Sequence, residues 1–265
     1  MNYGDIRKDL YKVQGYTKTK KDIILSAYKK GHYSRLYIYD NESHKLKDVV
    51  EMKHKAHVGG VTYDDKNNIV FVTGSNGTLH AYKYNSYKEL DNNITVQEIT
   101  QHNMATICFF EGKLYVSTFG IRSKLIEIEY KINKNKVEMV SCRKVSHLGT
   151  AVQGLAFYKN YLVTSISYGK NNKSRLITYD RDNMKVLNKR NVIHSGLEGI
   201  YSDEEGNLSG VFEFGKQEIQ NFGKIELFKY AARGFTPINK SKILFGTFMF
   251  EIERKKKRKK SKNLD

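Results

Sequence analysis

Hydrophobic and polar residues alternate with a period of two along most of this chain. In LIEIEYKI, Leu125 to Ile132, the residues Ile126, Ile128 and Tyr130 share one side, and Glu127 and Glu129 the other. That period sends successive side chains to opposite faces of a β-strand. IVFVTGS, KLYVSTFG and YLVTSISYG are apolar runs of strand length, each followed by turn residues. No long segment carries the 3.6-residue period of a helix, so the chain reads as all-β.

The runs recur at a fixed distance. An apolar-small-apolar unit opens at Val13, Val58, Ala105, Val152 and Leu197, with spacings of 45, 47, 47 and 45 residues. A second run follows each (DIILSAY, IVFVTGS, KLYVSTFG, YLVTSISYG, NLSGVFEFG), then a third (RLYIYD, TLHAYKY, KLIEIEY, RLITYD, KIELFKY). A weaker fourth closes each unit: LKDVVEM, VQEIT, VEMVSC, KVLNKRNVI and SKILFGTFMFEI. Val13–Asp40 and Val152–Asp180 nearly repeat one another. Both begin Val-Gln-Gly and end Ser-Arg-Leu-x-x-Tyr-Asp.

Five units of four antiparallel strands are the sequence form of a five-bladed β-propeller. Each blade buries its faces only against its neighbours, so the ring must close. A β-sandwich of the same strand content would not demand equal spacings. The blades fall at about residues 13–53, 58–101, 105–145, 152–193 and 197–252, within one domain spanning 1–253. The glycine of the opening unit suits an innermost strand crowded at the axis.

The propeller reading orders the candidate chemistry. The residue before the repeat glycine should occupy one level of the channel in every blade: Gln14, Gly59, Thr106, Gln153 and Glu198. His57, His102, His147 and His194 precede four consecutive first strands and would rim the same mouth. Imidazoles there suit a metal or acid/base cluster, or cap their own turns. Glu213, at the end of a second strand, would approach Glu198 for acid/base work, or pair with a lysine. The loops between second and third strands bring Arg122, Lys30, Lys170, Lys173 and Tyr168 to that face.

Charge narrows the partners. The chain of 265 residues has 46 Lys and Arg against 28 Asp and Glu, a net charge of +18. Without residues 254–265 the balance is 38 against 27, still +11. A basic body favours anionic or polar ligands, small molecules or peptides, at the mouth. The tail RKKKRKKSKNLD is expected to be disordered and to suit an anionic surface. No apolar run approaches the ~18 residues of a membrane span. MNYGDIRKDL has no apolar h-region, so no signal peptide is expected, and the compartment is left open. A monomer is expected. No cofactor is expected, apart from the divalent cation the histidines would hold. Cys108 and Cys142 fall on the first and fourth strands of one blade, roughly 14 Å apart at strand spacing. That exceeds the ~7 Å reach of a disulfide, so two free thiols are expected.

VQGLAFYKNYLVTSISYGKNNKSRLITYD and LEGIYSDEEGNL resemble the repeat of plant- and bacterial-type glutaminyl-peptide cyclotransferases, and of lactonase-like bacterial propellers. The resemblance implies a five-bladed propeller. It further implies cyclisation of an N-terminal glutamine with release of ammonia, Glu198 acting as acid/base and Gln153 contacting substrate. Those enzymes hold substrate with tryptophans, and this chain has none. Two functions stay open: a non-catalytic binding propeller with a polar, basic pocket, or a cyclotransferase or hydrolase built on Glu198.

Overall fold

A computed structural model describes residues 1–92, 104–215 and 217–230. It is a five-bladed all-β propeller. Blade one orders β1 (Lys12–Lys18), β2 (Asp22–Tyr28), β3 (Arg35–Asp40) and β4 (Leu46–Glu51) from axis to rim. Blade two is β5 (Val61–Asp64), β6 (Ile69–Thr73), β7 (Leu79–Lys83) and a two-residue β8 (Lys88–Glu89). Blade three begins its outer edge with β9 (Asp91–Asn92), which pairs parallel to the fourth strand. Its antiparallel strands are β10 (Met104–Phe110), β11 (Lys113–Thr118), β12 (Lys124–Asn133) and β13 (Lys136–His147). Blade four is β14 (Val152–Tyr158), β15 (Tyr161–Ile166), β16 (Arg175–Asp180) and β17 (Val186–Asn191). Blade five shows β18 (Leu197–Ser202), β19 (Asn207–Phe212) and β20 (Gln220–Lys224), then a 3-10 helix, Ile225–Tyr230, so the third strand is QNFGK and most of the expected KIELFKY is helical. Its expected fourth strand, SKILFGTFMFEI, lies outside the described residues, as do VQEIT of blade two and the basic tail.

Second and third strands are apolar on both faces because both faces meet a neighbouring blade. Ile23, Ile24 and Leu25 are all buried, as are Val70, Phe71 and Val72. The core accordingly divides into five clusters, one per blade interface. Fourth strands are polar and exposed, as in LKDVVE and VLNKRN.

The repeated Ser-Arg-Leu-x-x-Tyr-Asp now has a physical reason. Its serine is fully buried ahead of the third strand and ties its blade to the next. Ser34 Oγ donates to the Ala56 carbonyl at 2.5 Å, and Ser174 Oγ accepts from the Leu197 amide at 2.9 Å. Ser123, in the same place in blade three, accepts from the Val152 amide at 3.4 Å. The closing aspartate caps the turn into the fourth strand. Asp40 Oδ1 accepts from the Ser43 amide at 2.8 Å, and Asp180 Oδ1 from the Asp182 amide at 3.0 Å.

Around the axis the first strands nearly touch. A Cβ on Gly15 would stand 2.7 Å from the Val61 nitrogen, and one on Gly199 2.7 Å from the Tyr16 nitrogen. Bulges set the level of every blade but the second. Val13 pairs with Ala27 and Gly15 with Ser26, leaving Gln14 extra; Gln153 is extra in the same way. In blade three Met104 pairs with Thr118 and Thr106 with Ser117, so the extra residue is Ala105. Thr106 therefore stands in the glycine position rather than level with Gln14. The sequence anchor was one residue late there, because a bulge shifts register without leaving a mark in the alternation.

Residues ahead of the first blade, outside the expected repeat, close the ring. The Tyr3 amide donates to the Gln217 carbonyl at 2.7 Å, and the Ile219 amide to Met1 at 3.0 Å. The fully buried Tyr3 hydroxyl donates to the Phe212 carbonyl at 3.3 Å and accepts from its amide at 3.0 Å. A short helix, α1 (Gly4–Lys8), then drops Ile6 into the cluster between blades one and five.

Candidate functional site

The channel has two different ends. At the mouth where the first strands begin, bulges in blades one, three, four and five place Gln14, Ala105, Gln153 and Glu198, while Gly59 precedes the unbulged β5. Gln14 is buried, and its Nε2 donates to the carbonyl of Val13 at 2.9 Å. Glu198 is buried as well. Burial first, and then the nearby Glu213 carboxylate, push its pKa well above the usual carboxylate range, with Lys12 opposing. Glu213 accepts from Lys12 Nζ at 2.6 Å, so it has a lysine partner and is also Glu198's electrostatic neighbour. Lys12 Nζ lies 5.5 Å from the Phe214 ring centroid.

The expected rim histidines have different surroundings. His57 reaches solvent with its ring tilted against Tyr28 at 4.6 Å. Crowding by protein lowers its pKa, Glu213 opposes that, and Lys12 adds to it. His147 is exposed at the end of β13. Partial desolvation and the surrounding Lys144, Arg122 and Lys124 charges lower its pKa. Arg122 is likewise exposed. His194 stands edge-on to Phe212 at 5.9 Å and lines a cavity of about 260 Å³ with Glu218, Ile219 and Gln220. Tyr168 is half-buried, and its carbonyl accepts from Asn172 Nδ2 at 2.8 Å. His102 lies outside the described residues. Among the described residues, the group of three His, Cys, Asp or Glu side chains within ligand reach is His54, His80 and Glu89, not the rim set.

The opposite end is a funnel of about 840 Å³ where the first strands finish. Sequence reasoning aimed at the loops of the other face and missed it. Its signal was present in the strand ends: GYTK, VTYD, ICFF, LAFY and GIYSD all close on aromatic or polar residues. Tyr16, Tyr63, Phe109, Phe110, Phe157, Tyr158 and Tyr201 wall the funnel. The Tyr16 and Tyr201 rings meet edge to face at 5.7 Å, and Tyr16 Oη lies 3.1 Å from Ser209 Oγ. Both charges reach the wall: Lys18, Lys20 and Lys159 against Asp203, Glu204 and Glu205. Lys18 is half-buried; desolvation lowers its pKa, with Asp203 opposing. Cys108 also lines this wall. It and Cys142 are free thiols, and burial pushes them up to about 12 and about 11.

Fold and channel together define a β-propeller. No protein family matches the chain, and no curated protein does. Among solved structures it is similar to the computationally designed Ika8 protein at 13% identity and a TM-score of 0.40, over 80% of this chain and 71% of that one. It is also similar to the hydrazine synthase of Kuenenia stuttgartiensis at 11% identity and a TM-score of 0.44, over 75% of this chain and 55% of that one. At this distance neither likeness carries a functional argument. No helix among the described residues is long and apolar enough to cross a membrane.

Proposed function

We propose that the chain is a binding propeller that holds a polar, charged small molecule or a short peptide segment in the funnel. The observation that carries this reading is the funnel wall itself. It offers seven aromatic side chains and both signs of charge around about 840 Å³, the size of a ligand pocket. Aromatic rings supply contact area at little entropic cost, and Lys18 opposite Asp203 would orient a zwitterionic or carboxylate-bearing guest. The test is a thermal-shift panel of short peptides, amino-acid derivatives and sugar phosphates on the full chain. At least one should raise the melting temperature, with the rise lost in Tyr201→Ala and in Lys18→Ala. A rise that survives both changes would move the ligand elsewhere.

Glu198 favours a second reading. A carboxyl kept protonated by burial and a like-charged neighbour is suited to donate a proton, as a general acid. Release of ammonia from an N-terminal glutamine, the chemistry implied by the resemblance, needs a proton delivered to the leaving nitrogen. Incubation with a Gln-initiated peptide, followed by mass spectrometry, should then show ammonia loss that Glu198→Gln abolishes without altering the fold. An unchanged peptide mass would end this reading and leave the funnel as the functional end.

A further inference from the structure

Away from both ends of the channel, His54, His80 and Glu89 bring three ligand atoms within 4.8 Å of one another. They come from three separate pieces of chain. His54 sits in the linker that leaves β4 for blade two, His80 is the second residue of β7, and Glu89 ends β8. Glu89 Oε1 lies 2.8 Å from His54 Nε2 and 3.2 Å from His80 Nδ1. The two imidazoles stack at 3.7 Å with 25° between their planes.

Several features fit a built site better than a surface coincidence. His80 is buried, with its side chain 10% exposed, so its position is fixed by the blade. Residue 74 is a glycine, and a Cβ there would run into His80 Nε2, so the ring is seated against bare backbone with Nδ1 turned to Glu89. Glu89 is placed by strand pairing, its backbone opposite Tyr82 across β7 and β8. In tetrahedral zinc coordination with bonds of about 2.0–2.2 Å, neighbouring ligand atoms stand about 3.3 Å apart. The 3.2 Å from Glu89 to His80 matches that edge length, and the 2.8 Å hydrogen-bond distance from Glu89 to His54 would lengthen as an ion enters.

We propose that His54, His80 and Glu89 form a binding site for Zn²⁺ or a similar borderline divalent ion, which staples the linker leaving blade one to the outer strands of blade two. Two imidazoles and a carboxylate are a ligand set that zinc accepts, and three protein ligands leave a fourth position for water. Nearly parallel rings cannot both aim a nitrogen at one ion, so binding turns His54 out of the stack. His54 has the freedom to do so, with its side chain 35% exposed.

The test is titration of the metal-stripped full chain with Zn²⁺, read by calorimetry and by elemental analysis after dialysis. One zinc per chain is expected, with a rise in melting temperature. His54→Ala and Glu89→Gln should each weaken binding tenfold or more, since even partners one shell further out cost that much. Both side chains are partly exposed, so both variants should fold. His147→Ala and His194→Ala should bind as the parent does. Co²⁺ in place of Zn²⁺ should give the intense visible bands of a four-coordinate ion, lost in Glu89→Gln. No stoichiometric zinc, or zinc held equally by His54→Ala and Glu89→Gln, would overturn the assignment.

Discussion

The two ends of the channel are built by the same five strands and could hardly differ more. At the tight mouth, β1, β10, β14 and β18 begin with bulges, and small residues there and ahead of β5 let the backbones close in, which isolates Glu198 from water. Three or four residues later the same strands carry Lys18, Tyr63, Phe109, Phe157 and Ser202, and the space opens to about 840 Å³. One end is tight and dominated by a carboxyl that cannot easily ionise; the other is wide, aromatic and of mixed charge. In a propeller, side-chain volume along five equivalent strands sets the bore, so a single turn of sequence can make both a proton-holding corner and a bowl.

The largest effect should come from forcing the tight end open. Gly15→Ala would push a methyl to 2.5 Å from Ser26 Oγ and 2.7 Å from the Val61 nitrogen. Overpacking of this kind costs about 2–3 kcal/mol, roughly a hundredfold in the folding equilibrium, measurable by chemical denaturation. Next is the chemistry of the wide end. With its thiol raised from 9.0 to about 12, Cys108 has about a thousandfold less thiolate than a free cysteine. Higher basicity returns part of the reactivity, so alkylation at neutral pH should be about fiftyfold slower than in unfolded chain, as read by intact mass.

A smaller, pH-dependent effect separates the ends. Glu198 has its folded pKa above the unfolded value, so its contribution favours folding most below the unfolded pKa and fades as pH rises through the folded one. The melting temperature of the parent should therefore fall over that window, and Glu198→Gln should lack this part of the fall. Equal pH profiles for the two would mean that Glu198 is not desolvated. Smallest is Lys12→Met, which removes a pair whose lysine is 55% exposed and should cost no more than about 1 kcal/mol. Its informative readout is the Glu198→Gln difference, which should widen, because Lys12 lowers the pKa of Glu198.

The five-fold cadence was legible because alternation and spacing are local properties, and so were the blade positions of Glu198, Glu213 and Gln14. The surroundings of Glu213 were half legible: Glu198 or some lysine could be expected beside it, but not that the lysine is Lys12 or that Glu213 would have both neighbours. Thr106 was misplaced by one residue because a bulge in β10 keeps its apolar pattern while changing which residue is extra. The funnel went unread because its residues look like ordinary strand ends until the ring gathers them. His54, His80 and Glu89 share no short spacing; a linker and a hairpin bring them together, which no local pattern records. The role of Tyr3 was invisible for the same reason, since its partner Phe212 is 209 positions away.

That last contact bears on how the molecule comes into being. A growing polypeptide makes Tyr3 209 positions before Phe212, so blade one must wait, with one flank bare, until blade five is synthesised. Closure is thus a late and long-range event, of the kind that makes folding slow and leaves sticky intermediates. Weakening the latch should harm newly made chains in the cell more than it harms the finished ring in a test tube.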